Sequence, residues 1–266
     1  MIIDTINGQQ IKASEKNVPK EYKSDDSGQF HIKNYDTQPA FASFLPGIGG
    51  PDGVPLWCLY VNRAQAISSF GIGNKDHAVM EFLPANWAYQ LVGIQGFRTF
   101  CKIDQMYYEP FQNDLASQKY KYQRSMLVDM DRLTICEENQ TLGLRFEVTY
   151  FSPVNQPVGS LVRLLNITNL SSKPRHLNGL DGLPLIVPAG FTEIGIKTMR
   201  RILEAYASVR MVAGHVPFYA AKVMAHDEAE VEEVRKGNFY AAWLGTEKML
   251  MPIEPYYDAD LIFGSD

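Results

Sequence analysis

Between Leu142 and Tyr150 the chain alternates without a break. Leu142, Leu144, Phe146, Val148 and Tyr150 are apolar, and Gly143, Arg145, Glu147 and Thr149 fall between them. A period of two puts every apolar side chain on one face of an extended strand, so this segment has one face for a core and one for water. Phe97–Ile103 repeats the pattern, with Phe97, Thr99, Cys101 and Ile103 opposite Arg98 and Lys102. Leu56–Val61 (LWCLYV) is apolar on both faces, which predicts a strand in the middle of a sandwich with Trp57 in the core. Turn formers punctuate these runs at Pro46-Gly47, Pro51-Asp52-Gly53, Gly71–Asn74, Ser152-Pro153 and Asp181-Gly182. Many short strands with regular turns predict a mainly β chain, a large antiparallel β-sandwich.

One segment departs from period two. Ile196, Met199, Ile202, Leu203, Tyr206 and Val209 are spaced by threes and fours, and Gly214 follows as a stop. That spacing predicts one helix near residues 196–210, packed on the sandwich. Residues 1–28 are polar and weakly periodic, so the sandwich is expected to occupy 29–266. Asp227–Lys236 (DEAEVEEVRK) reads as an acidic turn or short helix on a solvated face.

The 266 residues, 45% hydrophobic, suffice for a large core. A net charge of -5 with no basic stripe argues against nucleic acid as a partner. No stretch approaches the length of a membrane span, and the N-terminus lacks the pattern of a secretory signal. Cys58, Cys101 and Cys136 are odd in number and far apart, which fits reduced core thiols and a cytoplasmic location. The glycosylation-like triplets at Asn139, Asn166 and Asn169 are then chance matches.

Nucleotide loops, CxxC pairs, a GxSxG elbow and histidines at metal-ligand spacing do not occur, so no cofactor or metal is expected. His77 and His215 read as loop or core residues. Sugar chemistry needs carboxylates for proton transfer and aromatic rings for stacking. Asp76, Glu81 and Glu109 are the carboxylates with polar or aromatic neighbours, and a surface role is the plainer reading of each. Arg63 closes a buried strand and is expected to pair with Asp76 or Glu81. Arg98 alternates outward, toward a ligand or solvent. Trp243 reads as core, and Trp87, in a loop beside Pro84 and Tyr89, as an exposed stacking or interface residue. Tyr107-Tyr108-Glu109-Pro110-Phe111 is an aromatic cluster suited to an interface.

The segment FLPGIGGPDGVPLWCLYVNRAQAISSFGIGNKDHAVMEFLPANWAYQ (residues 44–90) resembles the N-terminal region of inverting glycoside phosphorylases, the cellobiose phosphorylase and 1,2-β-oligoglucan phosphorylase group. The likeness continues through GFRTF at Gly96–Phe100, YYEPF at Tyr107–Phe111, VTYFSPVNQPVGSLVR at Val148–Arg163 and LDGLPLIVPAG at Leu180–Gly190. It resumes at Met199–Tyr206, Val216–Tyr219 and Gly237–Trp243. Ala64 stands where a glycine usually follows the YVNR run, and Ala189 replaces a tyrosine expected before Gly190. The resemblance implies a sandwich domain that precedes a catalytic helical barrel, so no catalytic residue is carried over. It implies a homodimer, a β-glucan oligosaccharide substrate and inorganic phosphate as co-substrate of the full enzyme. The residues expected to approach the substrate or an interface are Asp52, Asn74, Lys75, Asp76, His77, Trp87, Arg98, Tyr107 and Tyr108. The alternative is a stand-alone carbohydrate-binding or assembly module.

Overall fold

The computed structural model describes residues 5–6, 9–10, 22–24, 28–47, 55–114, 117–224, 230, 233–246, 249–258 and 260–263. They form a mainly β, antiparallel sandwich. One layer is a six-stranded sheet in the order Val162–Asn169, Leu144–Phe151, Arg132–Asn139, Tyr122–Val128, Phe30–Lys33, Tyr22–Ser24. Its last strand comes from the polar N-terminal segment and pairs Tyr22 with Ile32. The facing layer combines two sheets. The strands Ala42–Gly47, Leu56–Val61, Ile67–Ile72 and Ala78–Met80 run in sequence order, and Met106–Tyr108, Arg98–Ile103 and Leu177–Gly182 form the other.

The alternation expected over Leu142–Tyr150 is realised in the strand Leu144–Phe151, with Leu142 and Gly143 in the turn that precedes it. Leu144, Phe146, Val148 and Tyr150 are buried, and the intervening residues are less so. They join one core with Ile32, Met126, Leu133 and Ile135 of the same sheet and with Leu45, Cys58, Tyr60, Ile67, Phe70, Cys101, Ile103 and Tyr108 of the facing layer. Each such side chain contributes roughly 1.5–3 kcal/mol by leaving water.

Among the described residues two helices of more than ten residues pack on this frame, where the sequence spacing predicts one. The first, α1 (Ala85–Gln95), follows Pro84, which suits a helix start because the missing N–H would be unpaired there. Ala88 and Val92, four apart, press on Val61 and Ala64, so α1 covers one end of the Leu56–Val61 strand. Trp87 therefore lies on the first turn of a helix and not in a loop. Trp57, at the uncovered end of the same strand, is 41% exposed and makes an edge contact with Phe44. Its expected burial fails because the outer face of that strand is covered at one end alone.

The second helix, α2 (Glu193–Tyr206), starts earlier and stops sooner than its apolar spacing predicts. Thr192 caps it by accepting from the Gly195 N–H at 3.1 Å. Met199 leaves helical geometry at φ -119, and Ala207–Val212 is a strand paired to Val216–Ala221. Ile196 and Leu203 are buried with Val187, Phe191 and Ala221, while Ile202 faces solvent.

Candidate functional site

The sequence-predicted residues fall into separate places. Asp52 lies outside the described residues. Asn74, Lys75, Asp76 and His77 form an exposed loop ending in a short 3-10 turn. Asn74 accepts from the Asp76 N–H at 2.9 Å, and Asp76 accepts from the Glu193 N–H at 2.9 Å. A carboxylate on a free helix N–H favours the first turn of α2 by charge and by hydrogen bond. Asp76 thus ties the loop to α2 and is engaged by backbone, away from Arg63.

Arg63 donates to the carbonyls of Asn62 and Gln38, the latter at 3.1 Å, so the expected ion pair with Asp76 or Glu81 is not formed. It belongs to a tight buried turn. Asn62 is fully buried and donates to the Tyr35 carbonyl at 2.9 Å while accepting from the Phe41 N–H at 2.9 Å. Ala64 and Ala66 take left-handed φ of 45 and 68. That conformation costs an alanine about 1–2 kcal/mol. The Tyr35 hydroxyl on the Ala64 carbonyl at 2.5 Å and the Tyr150 hydroxyl on the Gln65 carbonyl at 2.9 Å hold it. The position where the resembled pattern has glycine is one where glycine is the unstrained residue. Ala189 pairs through its backbone with Ala220, and the following Gly190 has φ 98, with Val234 where a Cβ would stand.

Arg98 does not point free into solvent. It meets Glu109 with two hydrogen bonds of 2.7 Å and lies over the Phe100 ring at 4.5 Å. Tyr107, 75% exposed, faces water beside Lys102, whereas Tyr108 turns into the core. The aromatic cluster is thereby split by the strand's own alternation.

Tyr108 leads to a feature that sequence reasoning missed. Arg124 and Glu137 are direct cross-strand partners on the inner face of the six-stranded sheet. The Glu137 carboxylate is wholly buried and accepts from Arg124 Nε at 2.7 Å, from the Phe111 N–H at 2.7 Å and from the Tyr108 hydroxyl. Arg124 also pairs with Asp36 at 2.7 Å, donates to Asn113, and donates to the Gln112 carbonyl at 2.8 Å. Burial first, and then the Glu137 charge, raises the Tyr108 phenol above its ordinary range, so it stays a neutral donor. Burial acts against the Arg124 charge, but the surrounding anions more than restore it and raise its pKa. A visible signal existed. Arg124 is in phase with Met126 and Val128, and Glu137 with Leu133 and Ile135, so opposite charges stood in the apolar phases of neighbouring strands. A second interlayer cluster joins Arg163 to Asp181, to Gln65 Oε1 at 2.6 Å and to Thr99 Oγ1 at 3.1 Å.

The surface changes character toward the C-terminal third. More than half of the exposed large apolar side chains among the described residues follow position 184. Ile194 and Ile202 project from α2, and Trp243, Leu244, Leu250 and Met251 from the hairpin Trp243–Thr246/Met249–Pro252. Trp243 is 51% exposed and not in the core as its apolar run predicts. No helix among the described residues is long and apolar enough to cross a membrane, and no cluster of three His, Cys, Asp or Glu among them is arranged for a metal. No protein-family model and no curated protein sequence matches the chain.

Proposed function

We propose that this chain is a non-catalytic β-sandwich scaffold of a glycoside phosphorylase-type assembly, acting on β-glucosides with inorganic phosphate and packed against a catalytic helical partner. The observation that carries the scaffold role is the apolar surface of α2 and the Trp243–Pro252 hairpin. A two-stranded ribbon exposed on both faces is marginal alone in water, and exposed apolar side chains gathered on such an element suit the docking of a partner. The best-buried carboxylates, Glu137 and Asp36, are held by Arg124, and Glu109 by Arg98, which makes them supports for the frame. The enzyme class rests on the sequence resemblance over residues 44–90 and its continuation.

A phosphorolysis assay decides the first part. The purified 266-residue chain incubated with β-linked glucose oligosaccharides and phosphate should release no α-glucose 1-phosphate. Sustained release would overturn the scaffold reading. Light scattering decides the second. The chain should self-associate or bind a hydrophobic dye, and Leu244→Asp with Leu250→Asp should reduce either effect. A monomer that neither associates nor binds dye would remove the interface argument.

A further inference from the structure

The six-stranded sheet ends on one side in the strand Val162–Asn169, whose outer edge meets no other strand among the described residues. Sheet edges are ordinarily kept from pairing by shortness, by a lysine or proline, or by a bulge. The opposite edge, Tyr22–Ser24, is three residues long. Val162–Asn169 has none of these safeguards. It runs eight residues along Leu144–Phe151 without a register shift. Its one charge, Arg163, is committed inward to Asp181, Gln65 and Thr99. Leu164 is 49% exposed and Ile167 36%.

The ladder fixes which backbone groups face outward. The Leu170 N–H donates to the Gly143 carbonyl at 2.8 Å, one step past the Leu144–Asn169 pair. Bonded and non-bonded pairs alternate along an antiparallel ladder. Leu164, Asn166 and Thr168 therefore turn their N–H and C=O groups to the neighbouring strand, and Arg163, Leu165, Ile167 and Asn169 turn theirs to the open side. No backbone bond among the described residues uses that side. The outward positions are symmetric about Asn166. An antiparallel copy of the same strand, centred on Asn166, sets Leu165 opposite Ile167 and Arg163 opposite Asn169, so every outward group finds a partner. The two-fold axis then stands perpendicular to the sheet and keeps both cores on one side. Leu165 and Ile167 pair with the buried Val148 and Phe146 and so face that core side, where the added strand covers the exposed Ile167. On the other face Asn166 meets its own copy, and an amide both donates and accepts. This match is built into the strand itself, which selects a second copy over a foreign strand. We propose that the Val162–Asn169 edge pairs with the same edge of a second copy of this chain, joining the two six-stranded sheets into one.

The edge shares no residue with α2 or the Trp243–Pro252 hairpin. The test therefore uses the chain carrying Leu244→Asp and Leu250→Asp, in which association through the hairpin is removed. Analytical ultracentrifugation should show a monomer–dimer equilibrium. Amide exchange at high and low protein concentration should show protection that grows with concentration at Arg163, Leu165, Ile167 and Asn169 and stays constant at Leu164, Asn166 and Thr168. Asn166→Asp and Asn166→Lys, at an exposed position, should each weaken dimerisation roughly tenfold, by setting like charges opposite each other and removing the amide pair. Mixing the two variants should restore it, because unlike charges then meet. If Asp beside Glu147 disturbs the fold, Lys and the exchange pattern decide. A monomer at every concentration, unchanged association in either variant, or no recovery on mixing would each overturn the proposal. So would a monomer whose outward amides are already protected, since a segment of the same chain would then fill the edge. The scaffold role is read from phosphorolysis and dye binding, so the two can fail separately.

Discussion

Glu137 shows how one side chain sets the terms for its neighbourhood. Its carboxylate is fully buried and has three protein donors, two from the 108–111 segment and one from the neighbouring strand. Removing it strands the Arg124 charge with Asp36 as its remaining carboxylate partner. Breaking a buried pair in this way costs about 3–5 kcal/mol. Glu137→Ala should therefore lower stability by roughly that amount in urea unfolding, whereas replacing the exposed pair partner Asp131 by alanine should change it by less than about 1 kcal/mol. The cysteines give a second residue-level expectation. Burial pushes the Cys58 and Cys101 thiols up to about 12 and also raises Cys136. A thiol that stays protonated is a poor nucleophile. At pH 8 all three should resist an alkylating reagent in the folded chain and react at once in denaturant. Rapid native labelling of Cys58 would contradict its placement.

At the scale of elements, the sequence was most legible where a strand has one dry face along its whole length. Leu144–Phe151 is such a strand, and its alternation gives its inward face, and its extent to within two residues. Leu56–Val61 is harder, because α1 covers Val61 but leaves Trp57 to solvent, and both positions are apolar. The α1 segment itself escaped notice because two small contacts, Ala88 and Val92, dock it, too few to produce a clear stripe. The candidate site was less legible than the fold. Arg98, Tyr107 and Tyr108 stand close in sequence, yet they divide among an ion pair, solvent and the core. Asp76 was singled out as a residue of interest, but its use is to bind the first turn of α2 across 117 positions of sequence. Losing a cap of this kind costs about 0.5–2 kcal/mol. Asp76→Ala should lower the melting temperature by a few degrees and speed amide exchange at Glu193, while Asp76→Asn, which keeps the acceptor, should recover most of the loss.

For the whole molecule, the two sheet layers differ in how they are joined. Over most of the interface the contact is apolar, supplied by residues such as Phe146 and Ile103. At two places polar clusters bridge the layers, around Glu137 and around Arg163. Apolar contact tolerates small shifts, whereas hydrogen-bonded charges fix relative position, so these clusters set the alignment of the layers. The C-terminal third has a smaller core of Val187, Phe191, Ile196, Leu203 and Ala221. Its exchange protection should be lower than that of the six-stranded sheet, and rise when a partner covers α2 and the Trp243–Pro252 hairpin.

The Phe111 N–H gives this contrast a clock. It is held at 2.7 Å by Glu137, in a residue with φ 67 whose side chain is entirely buried. To expose that amide the segment must lift off and leave a carboxylate in the core with one donor fewer. A small local opening is therefore closed to it, and its proton can leave by global unfolding alone. In heavy water Phe111 should exchange with the slowest amides of the central strands, although it lies in an irregular turn.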